Sequence, residues 1–271
     1  MKVQIDTVRT ENFTMNYLRF GKGSRMLVIL PGLSVESVMN YADTVADAYS
    51  PLTDGFTIFL FDRRNDLPES YTVSDMARDT ASAMQTLGLE QVCLFGVSMG
   101  GMTAMTVAIE HPELVSRLVL GSTSSCITAE QYQIIEKWIH LAGEGQSETL
   151  SLAFGEAIFP RKVFEQSRDA LTVNAKMFTE DDLARFIILA EGIKDFNVTN
   201  RLKDISCPVL VIGSMDDSVL GAEASLQIAE QLKGRPDCEL YMYDGYGHAV
   251  YDLAPDYKDR ILRFMTRNLS A

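Results

Sequence analysis

Leu94-Phe95-Gly96-Val97-Ser98-Met99-Gly100-Gly101 is the stretch whose reading decides the fold of this 271-residue chain. Val92 to Phe95 is a short continuous apolar run, the pattern of a strand buried on both faces. It enters Gly96-Val97-Ser98-Met99-Gly100, and beyond the turn Met102, Met105 and Ile109 recur at helical spacing. Strand, tight turn and helix in that order predict the setting of a nucleophile elbow, with Ser98 at its tip. Glycines flank the serine because side chains there would clash in a strained backbone. The turn lifts the hydroxyl clear of the sheet and aims a helix N-terminus at a bound molecule. A serine in an ordinary βα loop has the same local pattern, so the remaining chain has to decide.

Working outward, residues 3–20 alternate apolar and polar positions and end at Gly21-Lys22-Gly23. They predict two short antiparallel strands at a sheet edge. Met26 to Leu30 and Phe56 to Phe61 are apolar runs that predict buried strands, with a helix over 36–49 between them. Thr72-Val73-Ser74-Asp75 has the form of a capping box and opens a helix that stops at Gly88. After the elbow helix, Leu114 to Leu120 predicts another strand. From about Ser122 to Asn200 strand signals vanish. Four helical segments replace them, over 128–142, 147–157, 160–177 and 180–192. The βα rhythm returns at Cys207-Pro208-Val209-Leu210-Val211-Ile212-Gly213, followed by a helix over 221–232, a strand over 238–243 and a helix over 255–268. The fold class is therefore α/β, a mostly parallel sheet covered on both faces. Residues 1–121 and 201–271 form the core, and residues 122–200 form a helical cap, or lid, inserted in it.

Composition narrows the function classes. The chain is 46% hydrophobic and 23% charged, ordinary for a globular protein, with a formal net charge of -13. That charge argues against nucleic acid and anionic membrane surfaces as partners. The first residues, Met1-Lys2-Val3-Gln4-Ile5-Asp6, lack an apolar signal region, and no apolar run approaches a membrane span. Cys93, Cys126, Cys207 and Cys238 are scattered, which predicts free thiols in a reducing cytoplasm. No ligand cluster for a metal can be read, and no cofactor is implied.

A serine needs a base to become a nucleophile, and the chain holds three histidines. His111 falls at the end of the elbow helix, and His140 falls within the first cap helix. His248 follows the last strand, so it and Ser98 should both project over the carboxyl edge of the sheet, where ligands of parallel sheets bind. His248 is the expected base. The orienting carboxylate should follow the preceding strand, in Gly213-Ser214-Met215-Asp216-Asp217. Asp216 is chosen, with Asp217 its neighbour and Asp244 also near His248. Backbone N–H groups of Met99 and of Leu33, in Pro31-Gly32-Leu33-Ser34, are the expected oxyanion donors.

With Ser98, an acid and His248 in that order, the chain resembles the α/β-hydrolase superfamily over nearly its whole length, and within it the capped small esterases and enol-lactone hydrolases. The resemblance rests on the Gly96–Gly100 elbow, the strand leading to Asp216, Gly247-His248 before a terminal helix, and the scaffold segment Glu110-His111-Pro112-Glu113-Leu114-Val115. It implies an eight-stranded α/β-hydrolase sheet and a cofactor-free serine hydrolase acting on a small ester, thioester or lactone. Phe154, Phe159 and Met177, with Phe164 and Phe178, would furnish an apolar substrate pocket. The chain departs from the family pattern in Pro31-Gly32, where His-Gly is common. It departs again in Asp62-Arg63-Arg64-Asn65-Asp66-Leu67-Pro68, where a Gly-rich loop is common. Ser98 in place of an aspartate argues against dehalogenase and epoxide hydrolase chemistry. The alternatives are a small-molecule receptor on the same scaffold, or a C–C bond hydrolase or acyltransferase using the same residues.

Overall fold

Apolar runs become central strands here because each side of the sheet has its own core. In the computed structural model, which describes residues 3–267, β3 (Arg25–Leu30) turns Val28 and Leu30 to one face and Leu27 and Ile29 to the other. The elbow strand β5 (Val92–Val97) does the same with Val92 and Leu94 against Cys93, Phe95 and Val97. A strand with two buried faces needs apolar residues at every position, which is why alternation is absent from these segments.

The strands pair in the order β1 (Gln4–Arg9), β2 (Thr14–Gly21), β4 (Phe56–Arg64), β3, β5, β6 (Val115–Gly121), β7 (Val209–Ser214) and β8 (Cys238–Tyr243), in one eight-stranded sheet. β1 and β2 are antiparallel at one edge, and the pairs from β4 to β8 are parallel. One face carries α2 (Val73–Thr86), α3 (Met99–Glu110) and α8 (Ala222–Gln231); the other carries α1 (Ala42–Ala48) and α10 (Tyr257–Thr266). The elbow helix α3 is buried nearly all round, not only along Met102, Met105 and Ile109.

Several boundaries differ from the sequence reading, and β4 runs on to Arg64, past its expected end at Phe61. The helix expected over 36–49 is broken: a 3-10 turn, Val38–Tyr41, precedes α1, because Tyr41 leaves helical geometry at φ −115° and ψ 24°. The C-terminal helix, expected over 255–268, runs over Tyr257–Thr266 and ends because Arg267 turns extended at φ −63° and ψ 130°; residue 268 lies outside the described residues, as do Met1 and Lys2.

Between β6 and β7 the chain runs through α4 (Ala129–Gly143), α5 (Ser147–Ile158), α6 (Arg161–Ala175) and α7 (Glu180–Glu191). Capping boxes at Thr128 with Gln131 and Thr179 with Asp182 start the first and last of these. Ile135, Trp138, Leu141, Leu150, Phe186 and Leu189 join the same apolar cluster as the sheet face beneath them. Each such side chain contributes roughly 1.5–3 kcal/mol of burial, so the insertion is packed on the sheet. A short helix, α9 (Val250–Leu253), follows the β8 loop.

The strand order reverses at β3: β4 pairs on one side of it and β5 on the other. The loops leaving β3 and β5 therefore diverge over the same carboxyl edge and open a crevice there. Pro31-Gly32-Leu33 and Ser98 occupy those two loops.

Candidate active site

Ser98 sits at the tip of the β5–α3 turn with φ 52° and ψ −124°, a conformation that costs a non-glycine residue free energy. The turn is tight enough to exclude side chains on both flanks. A β-carbon at Gly96 would lie 2.3 Å from the Gly100 carbonyl oxygen, and one at Gly100 would lie 2.1 Å from that of Leu30. The strain is held by hydrogen bonds. The Ser98 N–H donates to the Gly121 carbonyl at 2.9 Å, and the Thr123 hydroxyl donates to the Ser98 carbonyl at 2.7 Å.

His248 reaches this serine from the β8–α9 loop. Its Nε2 is 3.0 Å from Ser98 Oγ, and its side chain is only 3% exposed. His111 pairs instead with Glu113, and His140 is exposed on α4; neither lines the cavity at Ser98.

The carboxylate on His248 is that of Asp217, which corrects the choice of Asp216. Asp217 Oδ2 lies 2.8 Å from His248 Nδ1, while its Oδ1 accepts the N–H groups of Val219 and Leu220 at 2.9 and 3.0 Å. Burial would raise this carboxyl, but the adjacent imidazole and the two N–H groups hold it below its ordinary range. Asp216 faces the other way. It accepts N–H groups from Gly245, Tyr246 and Gly247 at 3.0, 3.3 and 3.0 Å and the Ser214 hydroxyl at 2.6 Å. It therefore shapes the loop that presents His248 without touching the ring. Consecutive residues in a turn point apart, and the sequence does not reveal which of two adjacent aspartates faces the neighbouring loop.

The two expected oxyanion donors lie on the two loops that flank Ser98. Met99 is the first residue of α3, and Leu33 belongs to the loop after β3 that lines the Ser98 cavity. Neither N–H donates to an acceptor among the described residues. The departure at Asp62-Arg63 explains how the Leu33 loop is held. Arg63, 4% exposed, donates to the Pro31 carbonyl at 2.7 Å. Asp62 accepts the Ser37 hydroxyl and the Arg185 guanidinium from α7. Two adjacent residues at the end of β4 thus fix both ends of residues 31–37 and tie them to the insertion. Sequence reasoning noted this segment only as a departure.

The cavity at Ser98 is water-sized, about 30 Å³, and is walled by Gly32, Met102, Trp138, Phe154, Leu220 and Tyr251 among others. It adjoins a larger chamber of about 550 Å³ through the shared residues Gly32, Leu33, Phe154, Ile158 and Tyr251. Phe154, Phe159 and Phe178 line the larger chamber. Met177 does not: it is 69% exposed at the end of α6, which removes it from the pocket. Phe164 packs near Gly155 and lines neither chamber. The insertion also touches the histidine loop directly, where the Ala249 N–H donates to the Ile158 carbonyl at 3.0 Å.

The four cysteines are free thiols, and burial pushes that of Cys207 up to about 12. Among the described residues no group of histidine, cysteine or carboxylate side chains could hold a metal, and no helix is long and apolar enough to cross a membrane.

A strained serine bonded to a buried His–Asp pair at the carboxyl edge of such a sheet defines a hydrolase-like site. The family model for the alpha/beta hydrolase fold matches residues 25–255, and the chain belongs to that family. It is similar to RutD of Agrobacterium fabrum, provisionally named a carbamate hydrolase, with 26% identity over 79% of this chain and 84% of that protein. It is also similar to a 2-hydroxy-6-oxononadienedioate/2-hydroxy-6-oxononatrienedioate hydrolase of a Pseudomonas species, with 25% identity over 91% of this chain and 90% of that one. Among solved structures, the enol-lactonase of Burkholderia xenovorans superposes with a TM-score of 0.82 at 18% identity, covering 97% of this chain and 100% of that one. An alpha/beta hydrolase enzyme from a Medee basin deep-sea metagenome superposes with a TM-score of 0.87 at 20% identity, covering 98% and 99%. The protein is a hydrolase of this fold.

Proposed function

We propose that this hydrolase cleaves a small ester, thioester or lactone through an acyl-enzyme on Ser98. Ser98 Oγ attacks the carbonyl while His248 Nε2 takes its proton and then returns it to the leaving group. Asp217 holds the Nδ1–H tautomer of the ring and stabilises the imidazolium that forms. The N–H groups of Met99 and Leu33 receive the oxyanion, and each such donor is worth about 10²–10³ in rate. Water, activated by the same histidine, then clears the acyl group. Residues 122–200 act as a cap that closes the site and bounds the substrate. Small chambers lined mainly by apolar side chains suit a carbonyl compound with apolar limbs.

The observation that carries this reading is the hydrogen-bonded chain Ser98–His248–Asp217, with the serine at φ 52°. The test is a panel of short p-nitrophenyl esters, thioesters and lactones on wild type beside Ser98→Ala. Turnover that disappears in the variant supports the mechanism; hydrolysis retained by Ser98→Ala contradicts it.

A further inference from the structure

The larger chamber has a charge pattern that bears on what enters it. Most of its wall is apolar: Ile29, Val35, Val45, Leu60, Phe159 and Leu171 are typical. Its two acidic side chains are Glu36 and Asp252, and no lysine, arginine or histidine lines it. Glu36 sits where the β3 loop meets the insertion. It accepts hydrogen bonds from neutral donors only: the Tyr41 hydroxyl, Asn174 Nδ2 at 3.0 Å and Asn40 Nδ2 at 3.3 Å. No ion pair reaches it among the described residues.

Asp252 belongs to α9, just past the His248 loop. It accepts no hydrogen bond among the described residues, and its nearest cation, Lys258 Nζ, is 4.0 Å away. That ammonium is committed elsewhere: it donates to the Tyr251 carbonyl and lies over the rings of Tyr49 and Tyr257, behind the chamber wall. The Asp252 side chain is 56% accessible, yet burial raises its carboxyl. Asp252 is among the residues that line the chamber. A second anion placed beside these two carboxylates meets like charge, and no cation on the chamber wall offsets it.

We propose that this chamber selects substrates whose longer limb is neutral and apolar and rejects those that carry a carboxylate there. The proposal rests on Ser98 being the nucleophile beside it, and it separates this chain from relatives whose names specify dioate substrates. A volume of about 550 Å³ accommodates a limb of several carbons beyond the carbonyl. With each buried methylene worth about 0.8 kcal/mol, kcat/KM rises about fourfold per added carbon until the chamber is full.

The probes are methyl octanoate and monomethyl octanedioate, which differ only in the terminal carboxylate. Two like charges several ångströms apart at an effective dielectric near 20 predict a ratio of about 100 in kcat/KM in favour of methyl octanoate. The double variant Glu36→Gln, Asp252→Asn should bring that ratio below about 10. Equal turnover of the two esters by wild type, or an unchanged ratio in the double variant, overturns the proposal. Binding to Ser98→Ala separates this claim from the mechanism. Methyl octanoate should raise its melting temperature and monomethyl octanedioate should not, and equal stabilisation by the two overturns the charge selection. Failure of a serine-directed phosphonate to label Ser98 would overturn the hydrolytic reading instead, with the binding measurement still deciding the charge claim.

Discussion

The carboxyl edge of the sheet and the four-helix insertion above it are built on different principles. At the edge, position comes from backbone: strand ends, tight turns and N–H groups set Ser98, His248 and Asp217 within 3.0 Å contacts. In the insertion, position comes from side-chain packing; α5 and α6 supply Phe154, Ile158 and Leu171 to a chamber whose opposite wall, with Ile29, Val45 and Leu60, belongs to the core. On the proposed mechanism the edge sets the reaction, while the insertion helps to bound the space beside it. Substitutions of Ser98, His248 or Asp217 should change rate by orders of magnitude, and those of residues buried in the insertion should act mainly on stability.

The largest effect expected is that of Ser98→Ala, a loss of roughly 10⁶ in kcat with the melting temperature close to wild type. Next is the pair that separates the adjacent aspartates. Asp217→Asn should lower kcat by about 10⁴, since an amide on Nδ1 favours the wrong ring tautomer. Asp216→Asn, acting only through the loop 245–247, should lower kcat about tenfold or less and instead destabilise by about 1–3 kcal/mol. Equal losses in the two variants would mean that the edge does not discriminate them.

Acid stability should follow the same residue. Folding lowers the Asp217 carboxyl from its ordinary value of 3.8. Its contribution is therefore complete above that value and is lost as the pH falls through the lower, folded value. A thermal-melt series from pH 6 to pH 2 should fall more steeply for wild type than for Asp217→Asn. Parallel curves would contradict the pairing.

Arg63→Gln tests the link between the two regions. Releasing the Pro31 carbonyl should loosen the Leu33 loop and lower kcat about tenfold, as expected for losing a buried, charged hydrogen bond. KM should change little. The smallest effect belongs to Met177→Ala, exposed on the insertion, which should shift stability by less than about 0.5 kcal/mol and leave turnover unaltered.

The same contrast governs what could be read in advance. The central strands were legible because burial on two faces demands unbroken apolar runs, β1 and β2 by their alternation, and the elbow because its glycines have steric causes. Ser98 and His248 could be placed from topology alone: each follows a parallel strand. Asp217 was not separable from Asp216, since the direction of a turn side chain depends on which neighbouring N–H groups it meets. Met177 was misjudged because helical spacing does not say where α6 ends relative to its packed face. The Arg63 clamp and the Glu36–Tyr41–Asn174 contact join residues up to 138 positions apart, and nothing local encodes them.

The most direct test of the proposed mechanism is acid quench of wild-type protein during turnover of a slow ester, followed by mass spectrometry of the whole chain and its peptides. The expected result is an acyl adduct on the peptide containing Ser98, absent in Ser98→Ala and formed far more slowly in Asp217→Asn. Steady turnover with no adduct at Ser98, and with Ser98→Ala still active, would contradict it.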